Sequence, residues 1–187
     1  MFKRLFIAVK INPSEEFLRW IYFLQSNLSH ELINWIRADH YHLTLQFLGK
    51  IHAGRVDDIL EIMGEIASKN ERIQLNIGGL KLFGSKYQPR VLWLDIEESA
   101  KLIYLHKDIS LALKKKGFLI NGQNYIPHIS LARVKKIGDR AFFQSLIEKQ
   151  NPNVIQQILF KEMILFESIL STKGAEYKMI KKYEMLA

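Results

Sequence analysis

Two four-residue segments of this chain hold side chains suited to proton transfer: His42-Leu43-Thr44-Leu45 and His128-Ile129-Ser130-Leu131. Each is a histidine, an apolar residue, a hydroxyl residue and a leucine. Polar and apolar residues alternate with the period of a half-buried strand, so the histidine and the hydroxyl residue share one face and the apolar pair the other. That face presents an imidazole and a hydroxyl about 7 Å apart along the strand. Two such pairs, far apart in the chain, point to one site assembled from two matching halves. Imidazoles ionise near pH 6.5, so one ring can be neutral and accept a proton while the other is charged and donates one. Hydroxyl donors beside them suit a reaction that builds negative charge.

Other residues compete for attention. His40-Tyr41-His42 puts two imidazoles on one strand face and, with His128, offers a three-histidine zinc site, against a reading in which Asp39 and His40 lie at the loop edge of the strand. His30, His52 and His106 lack such context and read as surface or helix-end residues. Arg133-Val134-Lys135-Lys136 follows the second motif directly; it reads equally as a guide for a polyanion or as a solvated loop, the lysines more readily solvated than Arg133. Lys114-Lys115-Lys116 reads as a helix end. Trp35, Trp93 and Phe47 offer faces for stacking a base, although aromatic residues in apolar strands are commonly core.

The elements that must position these groups follow from periodicity. Leu5 to Ile11 reads as a first strand, and Asn12-Pro13-Ser14-Glu15-Glu16 opens a helix that runs to about Leu28. Trp35 to Arg37 and His42 to Leu48 read as strands, the latter closed by Gly49, and Arg55 to Ser68 has helical spacing. Ile73 to Phe83 reads as a strand with a bulge or turn at Gly78-Gly79, followed by a strand over Val91 to Ile96. Ala100 to Lys116 reads as a helix ended by Gly117, His128 to Arg133 as a strand opened by Pro127, and Arg140 to Lys149 as a helix. Val154 to Leu170 and Glu176 to Tyr183 read as closing strands around Thr172-Lys173-Gly174. Interleaved strands and helices give a mixed α and β class, with two similar lobes facing across a cleft as the simplest arrangement.

The whole chain sets bounds. At 187 residues it fits one domain, residues 1–187, with 48% hydrophobic and 25% charged residues. A net charge of +8 favours polyanionic partners, nucleic acid first. The absence of cysteine excludes disulfides, thiolate metal sites and cysteine nucleophiles. The apolar run Leu5 to Val9 is too short for a signal-peptide core, and no span of membrane length occurs, so the expected location is cytoplasmic and no membrane partner is expected.

With its flanks, the motif pair resembles the 2H phosphoesterase superfamily, and specifically the bacterial and archaeal RNA 2′,3′-cyclic phosphodiesterases, also called 2′-5′ RNA ligases. The resemblance rests on Arg4-Leu5-Phe6-Ile7-Ala8-Val9, His42 through Gly49, Pro89-Arg90-Val91-Leu92-Trp93, Pro127 through Arg133, and Leu165-Phe166-Glu167-Ser168 with Gly174 and Tyr177. It implies an α+β, bilobed fold of two duplicated lobes, each with an antiparallel sheet, the motifs lining one central cleft. It also implies hydrolysis of RNA 2′,3′-cyclic phosphate ends to 2′-phosphomonoesters, with His128 as base for water and His42 as acid to the 3′ oxygen, an assignment that the likeness of the two motifs leaves reversible. Thr44, Ser130 and Arg133 would bind the phosphate. Ser130 departs from the common threonine but keeps the hydroxyl. Arg133 would supply the charge a metal supplies elsewhere, so no metal or cofactor is required. RNA ends or nucleoside 2′,3′-cyclic phosphates are the expected partners, and a monomer the expected state. The rivals are 2′-5′ RNA end joining by the same histidines and a non-catalytic RNA-binding module.

Overall fold

The computed structural model describes residues 1–85, 87–97, 100–120, 124–172 and 174–187. Among these the strands are β1 (Phe2–Lys10), β2 (Leu32–Trp35), β3 (His42–His52), β4 (Ile73–Gly84), β5 (Pro89–Ile96), β6 (His128–Lys136), β7 (Gln156–Phe160), β8 (Glu162–Ser171) and β9 (Gly174–Glu184). The helices are α1 (Glu15–Asn27), α2 (Val56–Ala67), α3 (Ala100–Lys115) and α4 (Arg140–Lys149). Two of them start where the sequence provides a cap. The Ser14 side chain accepts from the Phe17 N–H at 3.2 Å, and Asp139 accepts from the Phe142 N–H at 2.9 Å, each satisfying a donor the helix leaves open.

All pairings between these strands are antiparallel, in the order β7-β4-β5-β6-β3-β1-β8-β9, with β2 added to β6. The two motif strands therefore lie side by side at the centre. The progression strand, helix, strand, helix, strand occurs twice: β1-α1-β3-α2-β4 and β5-α3-β6-α4-β8, with β2, β7 and β9 as additions. The last strand of each progression crosses over. β4 pairs with β5, and β8 returns to pair with β1, so neither side of the sheet is built from one continuous half of the chain.

Alternation along the central strands separates two faces. Leu5, Ile7 and Val9 of β1, Leu43 and Leu45 of β3, and Ile129 and Leu131 of β6 join Phe17, Ile21, Leu24, Ile59, Met63, Leu105 and Ile109 of the helices in the main core. Burial of this apolar surface is the dominant stabilising contribution. On the opposite face Phe6, Ala8, Ile164 and Phe166 form a small second cluster with Tyr177 packed on it. The histidines and hydroxyl residues of the motifs belong to this second face.

Most elements agree with the sequence reading to within a few residues; the differences have physical causes. The expected strand Trp35–Arg37 is displaced to Leu32–Trp35 because β6 supplies its partner; Ile36 N–H still bonds the Leu131 carbonyl at 2.8 Å, and Arg37 then pairs with Asp39 at 2.7 Å to turn the chain. β3 runs on past Gly49, whose φ of +72° admits a bulge at Leu48, to His52. The single strand expected over Val154 to Leu170 is two strands, β7 beside β4 and β8 beside β1, near opposite ends of the sheet. A bulge does occur at Gly78-Gly79. Of the expected Thr172-Lys173-Gly174 turn, Lys173 lies outside the described residues, and the flanking strands pair up to Ser171 and Gly174.

Candidate active site

The two motifs adopt the same local form. From the histidine onward the first six residues of β3 and of β6 have identical exposure: partly buried, buried, partly buried, buried, buried, exposed. Two consecutive buried residues break the alternation because the leucine of each motif is the extra residue of a β-bulge. Leu45 is passed over between Ile7↔Gln46 and Ala8↔Thr44, and Leu131 between Leu92↔Ala132 and Trp93↔Ser130. A bulge re-aims the side chains that follow it. In both strands it brings the sixth residue, Phe47 in one and Arg133 in the other, to the exposed side.

Each histidine is oriented by the backbone two residues before it. His42 Nδ1 lies 2.7 Å from the His40 carbonyl, and His128 Nδ1 lies 2.8 Å from the Ile126 carbonyl. A carbonyl only accepts, so both Nδ1 atoms carry the proton and both neutral rings keep their lone pair on Nε2. Aromatic rings fix the planes: Phe6 and Tyr177 at 5.1 Å each from His42, Phe83 at 5.0 Å and Trp93 at 5.7 Å from His128.

β3 and β6 meet through one pair, Leu43↔Ile129. Antiparallel geometry then sets His42 in the row of Ser130 and Thr44 in the row of His128, a crossed arrangement in which each imidazole neighbours the other motif's hydroxyl. To either side of this pair the strands take other partners and a cavity of about 610 Å³ opens, lined by His42, Thr44, His128, Ser130 and Arg133 together with Arg4, Phe6, Phe47, Ser168 and Tyr177. All five site residues expected from sequence are thus in one cavity. Two arginines and no carboxylate line it among the described residues.

Burial pushes the His42 imidazole below its ordinary value of 6.5, opposed by its bond to the His40 carbonyl; the neighbouring His128 and His40 add a further downward push. Charge on one ring of the pair therefore disfavours charge on the other, which suits a site that holds one proton for two imidazoles.

The sequence profile of the LigT like phosphoesterases matches residues 9–93. An RNA 2′,3′-cyclic phosphodiesterase of Aquifex aeolicus is 30% identical over 128 residues, 67% of this chain and 68% of that protein. The chain belongs to this family. A second RNA 2′,3′-cyclic phosphodiesterase, from Geobacillus stearothermophilus, is 30% identical over 128 residues, which span 68% of this chain and 40% of that longer protein. Among solved structures, apo E. coli LigT aligns over 100% of this chain and 99% of its own with a TM-score of 0.77 at 21% identity, a likeness of fold. E. coli LigT complexed with 3′-AMP aligns with a TM-score of 0.78 at 21% identity, over 99% of both chains.

Within this LigT-like frame, two residues that sequence reasoning passed over support the first motif. His106 is no surface or helix-end residue: from the middle of α3 its Nδ1–H donates to the Leu45 carbonyl at 2.7 Å, its ring stacked 4.0 Å from Tyr125. The Tyr125 hydroxyl donates to the Thr44 carbonyl at 3.2 Å. These carbonyls lie on the edge that β3 turns toward β6 but does not pair, so side chains replace the ladder. One helical turn on, Ser110 Oγ donates to Gln46 Oε1 at 2.7 Å. In β6 the corresponding carbonyl, that of Leu131, is taken by Ile36 of the backbone. In the sequence, His106 and Ser110 are set apart only by their i, i+4 spacing, which places them on one face of α3.

The three-histidine alternative is not formed: His40 packs its ring on Tyr177 at 5.0 Å, and among the described residues no three His, Cys, Asp or Glu side chains are grouped to hold a metal ion. Of the stacking candidates, Trp93 is buried beneath His128 and Trp35 packs against the core, whereas Phe47 is 65% exposed at the cavity wall. No helix among the described residues is long and apolar enough to cross a membrane.

Proposed function

We propose that this chain opens RNA 2′,3′-cyclic phosphate ends to 2′-phosphomonoesters, using residues 1–187 as one unit of two duplicated lobes. The observation that carries the reading is the pair of imidazoles in one cavity, each with Nδ1–H bound to a carbonyl and Nε2 left to exchange protons. Water attacks phosphorus as its proton passes to His128 Nε2; the bond from phosphorus to O3′ breaks, and His42 Nε2 delivers its proton there. The phosphate remains on O2′. Thr44 and Ser130 hydroxyls donate to the non-bridging oxygens as charge builds, and Arg133 supplies the positive charge without a metal. Burial disfavours a proton on His42, and a bound phosphodiester anion opposes this by favouring the charged imidazole. The exposed face of Phe47 is available to the terminal base.

The test is turnover of nucleoside 2′,3′-cyclic phosphates and of a cyclic-phosphate-ended RNA, with the product's phosphate position determined by NMR and activity repeated in a chelator. A 2′-phosphate formed at an undiminished rate in chelator supports the reading. RNA binding without turnover would leave only a binding module, and joined 2′-5′ product without hydrolysis would leave a ligase.

A further inference from the structure

The cavity holds more positive charge than the reacting phosphate requires, and that charge lies at both ends. Arg133 extends from β6 past the His42 and Ser130 row. At the other end, beyond Phe47, Arg4 of β1 stands directly opposite Lys50 of β3. Cross-strand partners share a face, and like charges directly opposite one another destabilise a sheet. This pair lies on the cleft face, since Arg4 alternates with Phe6 and Ala8 while Leu5, Ile7 and Val9 enter the core. Some other strand cations have a carboxylate: Lys3, next to Arg4 but on the opposite face, is held by Glu167 at 2.6 Å, and Lys182 by Glu162 at 3.0 Å. Among the described residues no carboxylate pairs with Arg4, Lys50 or Arg133. An unrelieved pair of cations facing an anion-binding cavity is a site that a bound anion completes.

Distance identifies the anion. Ala8 is the register partner of Thr44, and Arg4 lies four residues before it, about 13 Å along the strand. An arginine side chain spans part of that gap, which leaves a separation suited to a neighbouring phosphate of the same strand rather than to the reacting one. Resting on the function proposed above, we infer that Arg4 and Lys50 form a second phosphate subsite. It takes the phosphodiester on the 5′ side of the terminal nucleotide and makes the protein prefer an RNA end to a free cyclic mononucleotide.

The experiment compares kcat/KM on a nucleoside 2′,3′-cyclic monophosphate with that on a trinucleotide bearing the same end, for the full chain and for R4A, K50A and the double variant. The expected result is that the wild type favours the trinucleotide and that the double variant lowers this preference at least tenfold. The change should fall in KM, and the slope of log KM against log salt for the trinucleotide should flatten by about 0.7, the value for one phosphate on a single strand. R4K should restore part of the preference by restoring charge. A wild type indifferent to chain length, or a preference that survives the double variant within twofold, overturns the subsite. Equal losses on both substrates overturn it as well, because they place Arg4 and Lys50 at the reacting phosphate. A wild type that turns over neither substrate brings down the hydrolase reading itself, an outcome distinct from the others.

Discussion

At the scale of single residues, the likeness of His42 and His128 is broken by what surrounds them. Both hold Nδ1–H on a carbonyl, but His42 lies between Phe6 and Tyr177 and is held below the ordinary histidine value by burial. His42→Ala and His128→Ala should each reduce turnover of a 2′,3′-cyclic nucleotide by about 10²-fold or more with the fold retained by circular dichroism. A p-nitrophenyl phosphodiester, whose leaving group needs no proton, should restore much of the lost turnover to the His42 variant and little to the His128 variant; rescue of the His128 variant instead would exchange the two roles. The pH dependence carries a sign as well. With His42 as the acid, activity is lost on the alkaline side as it deprotonates, and the bound anion raises its pKa relative to the free protein. The alkaline limb of kcat/KM should therefore lie at lower pH than that of kcat, and coincident limbs would argue against His42 as acid.

At the scale of elements, the site depends on bulges that no side-chain pattern announces. The alternation of His42 to Leu45 and of His128 to Leu131 reads correctly as strand and assigns the right face, because burial on one side of a pleated strand leaves a period of two. What it misses is the extra residue at Leu45 and Leu131, which depends on the register of β1 and β5, strands distant in sequence. His106→Phe keeps the stacking surface for Tyr125 but leaves the Leu45 carbonyl without its donor. It should cost about 1–3 kcal/mol in urea unfolding and lower kcat more than it raises KM, since the displaced group is the motif backbone and not a substrate contact. Gly78 marks a second tertiary dependence: a Cβ there would sit 2.0 Å from the Asn153 carbonyl oxygen, so Gly78→Ala should destabilise by about 1–3 kcal/mol by the same measurement, through displacement of the chain entering β7.

At the scale of the whole molecule, the crossing of β4 and β8 ties the two sides of the sheet together. Heat unfolding should accordingly show one transition by calorimetry, and two separated transitions would mean that the two sides of the sheet unfold independently. Two pH windows should govern the midpoint. His42 and His106 both have pKa values lowered chiefly by burial, so the unfolded chain binds more protons than the native one once the pH falls toward and below 6.5, and stability declines there. Glu31 accepts from the N–H groups of Gly138 and Asp139 at 2.5 and 2.9 Å, which hold its carboxyl below its ordinary value of 4.5. Its contribution is present above that value and is lost as pH falls through the lower folded one. Glu31→Gln should reduce the second decline, to which Asp39 beside Arg37 also contributes, and leave the first, read as the midpoint against pH.

Composition, alternation and the paired motifs determined by themselves the mixed α and β class, most of the elements and the two histidines and two hydroxyl residues that meet in the cavity, because these follow from local periodicity and from the chemistry of side-chain types; Arg133 came from the resemblance of the motif's flank to a known family. Tertiary structure alone decided the crossed pairing of the motifs, the bulges, the return of β8 to β1, the support of the Thr44 and Leu45 carbonyls from Tyr125 and His106, and the facing cations Arg4 and Lys50. Each of these is a relation between strands far apart in the chain, and a register between distant strands leaves no mark on either strand's own sequence.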